Sequence, residues 1–210
     1  ALKASEQRYR ELFQNVTAGV FQTTADGKFM AANPALVRML GYDSEDELLE
    51  LDVTRDIYMD PEQRGNWTRT MQETGEVRNA ELVLKRKDGS KIVVLENSRA
   101  VTDADGRTLF YEGTLTDITA SHELSLQLSY EASHDALTGL SNRREFELRL
   151  QRALELSQAT GAEHAMLYLD LDRFKTVNDT SGHVAGDELL RQLGEVLQQR
   201  VRTNDVVARL

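Results

Sequence analysis

Between Ala165 and Leu171 the chain is an apolar run that ends in two carboxylates, Asp170 and Asp172. Such a run is expected to form a strand buried on both faces. It would deliver Asp170 at its carboxyl end, where α/β proteins place ligands. Carboxylates are the hard oxygen donors that magnesium takes. Asp172 lies two residues on and ranks lower as a ligand. Read without context, the pair is an acidic strand end in water. A calcium loop is the other reading of Asp-x-Asp, and it fails. Phe174 holds its fifth position and Lys175 its sixth, where glycine is required. Lys175 suits a phosphate as a point charge. Asn178 reads as a turn residue and Asp187 as a helix N-cap before Glu188. Arg202 and Asp205 form Arg-x-x-Asp, a planar fork of donors beside an acceptor pair. Helix-end ion pairs produce the same pattern.

The elements around these residues are α/β in texture. Arg143–Gln158 and Asp187–Arg202 read as helices, the second with a buried stripe of Leu189, Leu190, Leu193, Val196, Leu197 and Val201. Val206–Leu210 begins a strand. The earlier part differs. Three Asp-Gly pairs, at 26–27, 88–89 and 105–106, sit between β-rich runs and mark tight hairpin turns. Five strands are expected: Gly19–Ala25, Lys28–Ala32, Val77–Lys87, Lys91–Val101 and Arg107–Thr116. Helical text lies between the second and third. Asn33-Pro34 starts a helix that Gly41 stops. Ser44–Glu47 reads as a capping box, and Asp60-Pro61 starts a helix ending near Gly75. An opening helix, Lys3–Asn15, carries Tyr9, Leu12, Phe13 and Val16 on one face. From Asp117 to Ser133 the pattern is an exposed connecting helix with a narrow seam at Leu124 and Leu128, suited to pairing with a second copy.

Composition sets the outer bounds. The 210 residues, 23.7 kDa, hold one large or two small domains. With no cysteine, disulfides, thiolate nucleophiles and iron–sulfur clusters are excluded, and a reducing cytosol is compatible. A net charge of −10 makes free nucleic acid and anionic membrane poor partners. No apolar run approaches the roughly 20 residues of a membrane span, and no signal peptide is visible. The expected location is cytoplasmic, with any membrane anchor outside these residues. The chain begins at Ala1 and reads as a piece of a longer protein.

Residues 5–119 resemble a PAS domain. The likeness rests on the strand–strand–helices–three-strand order, Asn33-Pro34 to Gly41-Tyr42, the Arg86-Lys87-Asp88-Gly89-Ser90 hairpin and the closing Asp117-Ile118-Thr119. Residues 133–210 resemble the first half of a GGDEF domain, the catalytic domain of diguanylate cyclases. There the matching text is Asp135–Arg143 (DALTGLSNR), Asp170–Asp179 (DLDRFKTVND), Gly182-His183 and Gly186-Asp187. The Gly-Gly-Asp/Glu-Glu-Phe signature is not in the 210 residues; Val206–Leu210 is the text that usually precedes it. The expected fold is α+β: a PAS domain (1–119, five antiparallel strands with short helices), a signalling linker helix (120–133) and a partial α/β GGDEF domain (134–210), similar to nucleotidyl cyclases.

What the resemblance implies follows residue by residue. The family joins two GTP into cyclic di-GMP and releases two pyrophosphates. Asp170 and the backbone carbonyl of Leu171 would hold Mg2+ or Mn2+, and Lys175 would assist at phosphate. Asn178 and Asp187 match the guanine-reading pair, and His183 borders the nucleotide. Arg202 and Asp205 match the site at which cyclic di-GMP, the product, also inhibits. PAS modules bind small ligands or dimerise, so a homodimer through the PAS domain and linker helix is expected. No histidine lies within residues 1–119, which rules out histidine-ligated haem there. The absence of cysteine rules out a cysteinyl-flavin. A non-covalent flavin, a small carboxylate or no ligand stay open. The parent protein is expected to be a PAS-controlled cyclase, and these 210 residues alone to be inactive. The competing expectations are a PAS dimerisation module with a degenerate nucleotide-sensing GGDEF domain, or a bifunctional protein with a phosphodiesterase domain downstream.

Overall fold

The computed structural model describes residues 2–202 and 204–210, without the side chains of residues 2–6 and 9. The side chain of Tyr9 on the opening helix face, and Thr203 of the Arg-x-x-Asp motif, therefore lie outside what is described. The chain divides into two compact units between Glu123 and Leu124.

The first unit runs α1 (Leu2–Asn15), β1 (Gly19–Thr23), β2 (Phe29–Ala32), α2 (Pro34–Leu40), α3 (Glu45–Leu49), a π-helical turn (Val53–Ile57), α4 (Pro61–Thr74), β3 (Glu76–Lys85), β4 (Lys91–Thr102) and β5 (Thr108–Asp117). All five expected strands form. They make one antiparallel sheet in the order β2-β1-β5-β4-β3. The three Asp-Gly hairpins share one hydrogen-bond frame. Thr24, Arg86 and Asp103 each donate a backbone N–H to the carbonyl four residues on, at Lys28, Ser90 and Arg107. Gly27, Gly89 and Gly106 each donate back to the first residue of their loop. All three glycines have φ between 79° and 88°. This is the three-residue loop with a left-handed residue last, the position that glycine enters without steric cost.

The helix signals also hold. Asn33 caps α2, with Pro34 behind it and Gly41 closing the helix in the left-handed conformation. Asn33 is fully buried and uses its whole amide. Its Oδ1 accepts from Leu36 N–H and Val20 N–H, both at 2.9 Å. Its Nδ2 donates to the carbonyls of Phe13 and Ala18. One side chain thus ties α1, β1 and α2 together. Ser44 caps α3, while Glu47 bonds the N–H of Asp43 rather than that of Ser44 itself. Asp60 and Gly75 cap α4. The core lies between helices and sheet, around Leu36, Leu40, Leu48, Ile57, Ile92 and Val94.

Helix α5 (Thr119–Ser133) matches the expected connecting helix, and Leu124, Leu126 and Leu128 are exposed on it. The second unit continues with α6 (Arg143–Thr160), α7 (Phe174–Ser181) and α8 (His183–Arg200). Three expectations need correction, one of them the Val206–Leu210 strand, which is reduced to a single bridge residue. Ala165–Leu171 forms no strand, and Met166, Leu167, Tyr168 and Leu169 are 61–77% exposed. The buried stripe of α8 is also incomplete: Leu189 and Val196 are exposed, and its buried positions are Gly186 and Gly194. The physical reason is shared. A parallel strand is stable when it is paired at both edges and covered on both faces. Among the described residues of this unit the Val206–Leu210 segment contributes only one parallel bridge, Ala208 to Ser141. The apolar run has no ladder to join, and the helices have no sheet to cover.

Candidate functional site

Asp170, Leu171 and Asp172 lie on the irregular segment that leads into α7. Arg173 makes the bend in a left-handed conformation, φ 58°. The Phe174 N–H then donates to the Leu171 carbonyl (3.3 Å) and Thr176 N–H to the Arg173 carbonyl (2.9 Å). Asp170 and Asp172 are exposed, and so is Lys175 in the first turn of α7.

Asn178 lies inside α7, half-buried, and not in a turn. Its carbonyl receives the N–H of Gly182, which ends α7 and opens α8. His183 is the exposed first residue of α8. Asp187 sits one turn further, half-buried within the helix, so it is not the N-cap; Gly182 holds that place. The two helices form a tight hairpin. A Cβ added at Gly186 would overlap the amide oxygen of Asn178 and come within 3.3 Å of the Phe174 ring. Glycine at 186 therefore lets α8 close on Asn178, and Asp187 follows directly. No hydrogen bond among the described residues joins Asn178 to Asp187, so both keep polar capacity for a third party.

The donor set fits a hard cation of a particular kind. No three His, Cys, Asp or Glu side chains cluster among the described residues. Asp170 offers a carboxylate, and the Leu171 carbonyl keeps one lone pair beyond its bond to Phe174. One or two protein oxygens, completed by phosphate and water, is how magnesium is usually held.

The Arg-x-x-Asp motif lies beyond the helix, since α8 ends at Arg200. It is closed on itself. Asp205 Oδ2 accepts the backbone N–H of Arg202 (3.0 Å), and Asp205 N–H returns to the Arg202 carbonyl (2.9 Å). Both side chains are exposed, and among the described residues no ion pair occupies the Arg202 guanidinium.

The DALTGLSNR segment has a role that its motif text alone did not show. Asp135 Oδ1 accepts from Thr138 N–H (3.0 Å), Thr138 Oγ1–H (2.8 Å) and Arg209 Nη1 (3.0 Å). Burial pushes this carboxyl up, but the Thr138 and Arg209 bonds outweigh it and hold it below the usual aspartate value. Asn142 caps α6 through Glu145 N–H and donates to the Ala132 carbonyl at the end of α5. Ser141 exchanges backbone bonds with the Val206–Leu210 segment, donating its N–H to the Val207 carbonyl and accepting the Arg209 N–H, and Leu140 is buried. The available signal was Asp with Thr three residues on, a side chain able to close its own turn.

The first unit holds a separate polar cluster. Glu96 and Trp67 are both buried, and Trp67 Nε1–H donates to Glu96 Oε1 at 2.8 Å. The Arg64 guanidinium lies 4.3 Å from the Trp67 ring centre. These groups, with Thr23 and Tyr58, line a cavity of about 30 Å³ whose other walls are apolar. That is room for a water or two.

Comparison with known proteins agrees with the two-part reading. The family described as "Diguanylate cyclase, GGDEF domain" matches residues 132–210, and "PAS domain" matches residues 17–120. A probable diguanylate cyclase, DgcE of Escherichia coli K12, is 34% identical over 186 residues, covering 87% of this chain. The diguanylate cyclase TpbB of Pseudomonas aeruginosa is 45% identical over 83 residues, covering 40% of this chain. The chain spans only 17% and 19% of the length of these two relatives. Among solved structures, one titled as an RNA-binding light-oxygen-voltage receptor aligns with 61% of this chain and 37% of its own, at 22% identity and a TM-score of 0.53. That likeness concerns the fold alone.

Proposed function

Because the chain joins a PAS domain to a GGDEF domain, we propose that it is the sensory and substrate-binding part of a diguanylate cyclase, which converts two GTP into cyclic di-GMP and two pyrophosphates. The observation that carries this reading is the α7–α8 hairpin, which packs Asn178 against Gly186 beside Asp187, a short distance along the chain from Asp170.

In this reading the Asp187 carboxylate accepts from the N1–H and N2–H2 edge of guanine, and the Asn178 amide serves its acceptors. Adenine lacks the N2 donor and leaves that carboxylate unpaired, so it is rejected. Lys175 attracts the triphosphate, and His183 borders the nucleotide at the start of α8. Asp170 and the Leu171 carbonyl hold Mg2+ or Mn2+, which when bound neutralises phosphate charge and activates the attacking 3′-hydroxyl. Arg202 and Asp205 form the product site away from this centre. One GGDEF domain binds one GTP, so synthesis needs two chains face to face. Residues 1–119 and the linker 120–133 supply that pairing through the exposed seam of α5 and so set the rate. A GTP substrate puts the reaction in the cytoplasm. Among the described residues no helix is long and apolar enough to cross a membrane.

The test uses the longer protein, with the family's signature present. Incubated with GTP and magnesium, it should yield cyclic di-GMP by chromatography, and Asp170→Ala should abolish the product. Asn178→Ala and Asp187→Ala should raise the KM for GTP and erode the preference over ATP. Synthesis at the original rate by the Asp170→Ala protein would overturn the assignment.

A further inference from the structure

A carboxyl that is 3% exposed in an apolar core is an expensive group to keep. Glu96 lies on the helix-facing side of β4, and nothing in the reading above uses it. Its Oε1 receives the Trp67 indole N–H at 2.8 Å, the one side-chain hydrogen bond between β4 and α4 among the described residues. Trp67 is clamped on two further sides. Arg64, one turn earlier on α4, lies over its ring at 4.3 Å, and Tyr111 of β5 meets it edge-on at 5.1 Å. The cavity of about 30 Å³ lies beside the carboxyl, with room for a water next to it.

We propose that Glu96 is a proton-binding site inside the first unit: its carboxyl latches α4 to β4 through Trp67, and ionisation, although it strengthens that one hydrogen bond, puts a charge in the apolar core that draws in water and loosens the packing around it. The titratable and charged groups facing it are Arg64 from α4 and Tyr58 from the segment after the π-helical turn; β1 presents the Thr23 hydroxyl as its polar group, and β5 the apolar Leu115. Burial is the largest influence and pushes the Glu96 carboxyl above its ordinary value, with Ser98, Trp67 and Arg64 pulling it back. Ser98 Oγ lies near it on the same face of β4, buried and without a hydrogen-bond partner of good geometry. Tyr58 is raised by its own burial and stays neutral wherever Glu96 titrates.

The sign follows from linkage. A folded-state value above the ordinary one means that the folded unit binds this proton more tightly than the unfolded chain does. The stabilisation is complete below the ordinary glutamate value and is lost as pH rises through the raised one. The latch also stands at the root of the outgoing helix. Glu96 pairs with Leu115 across the β4–β5 ladder, and Leu115 lines the same cavity. Two residues on, Asp117 Oδ1 accepts the N–H of Thr119, the first residue of α5. Its link to output rests on the function proposed above; the proton site itself does not.

Trp67 is the only tryptophan of the chain, so its fluorescence reads this contact directly. The 210-residue protein is titrated from about pH 4 to about pH 9 at constant ionic strength. Wild type should show a change in Trp67 emission with a midpoint above the ordinary glutamate value. Glu96→Gln, which keeps the acceptor for the indole but cannot ionise, should lose it. The same transition in Glu96→Gln would overturn the proposal. Should that variant not fold, the 13C carboxyl shift of Glu96 in wild type decides: a raised midpoint supports the site, and an ordinary one rejects it.

Discussion

Arg209 Nη1 lies 3.0 Å from Asp135 Oδ1, closing an ion pair across 74 positions of sequence. The same oxygen already holds both donors of Thr138. One carboxylate therefore fixes the turn that follows α5 and anchors the Val206–Leu210 segment to it. Because these bonds hold the carboxyl below its usual value, their contribution is present above that value and fades as pH falls through the depressed one. Asp135→Asn should cost about 1–3 kcal/mol, the range for an unpaired charged partner. Hydrogen exchange at Ser141 and Arg209 checks it. Unchanged protection of both amides would show the pair to be incidental.

Asn33→Ala is expected to be among the most damaging single changes in the first unit. It strands two carbonyls and removes the acceptor for two N–H groups in a site without solvent. A loss of about 2–4 kcal/mol follows from desolvated groups left unpaired. Urea unfolding followed by Trp67 emission measures it, and a loss within experimental error would refute the account.

Gly186→Ala tests the helical hairpin. The new methyl displaces the Asn178 amide, whereas the same change at Gly194 meets only ordinary contacts at 3.4–3.5 Å. Calorimetric titration with GTP in the longer protein should show roughly tenfold weaker binding for Gly186→Ala, about 1.4 kcal/mol, and little change for Gly194→Ala. Equal affinities would mean that Asn178 does not touch the nucleotide.

Arg202→Ala should relieve inhibition by cyclic di-GMP in the longer protein and leave initial synthesis rates largely intact. The Asp205 carboxylate is partly spent on the Arg202 backbone, so the guanidinium is the freer recognition group. If the variant binds cyclic di-GMP as tightly as wild type, the motif is only a self-closed turn.

The first unit was legible in the sequence nearly element by element, because its determinants are local. Asp-Gly loops, Asn33-Pro34, Ser44 and Asp60 each specify their turn or cap within a few residues. The second unit was less so. The helices α6 and α8 announced themselves by periodicity. The run Ala165–Leu171 has strand composition, yet a strand exists only through its neighbours, and composition cannot supply them. Read alone, Asn178 fits a turn and Asp187 a cap; in the fold Gly182 is the single residue that ends one helix and opens the next, which puts both side chains inside helices. Glu96 was invisible because its burial depends on α4 folding over β4, and alternation in a strand does not show what covers it.

The shared frame of the three hairpins bears on how the protein ages. At an Asp-Gly step the following backbone nitrogen can attack the aspartyl side chain, and the ring that forms reopens largely to isoaspartate. That nitrogen is committed here: Gly27, Gly89 and Gly106 each donate it to a carbonyl at 2.9–3.1 Å. Damage must then wait for a loop to open, and because the reaction inserts an extra backbone carbon, a converted loop cannot close again in register. Isoaspartate accumulating at each of the three sites over weeks of storage is therefore a slow, cumulative count of how often that hairpin comes apart.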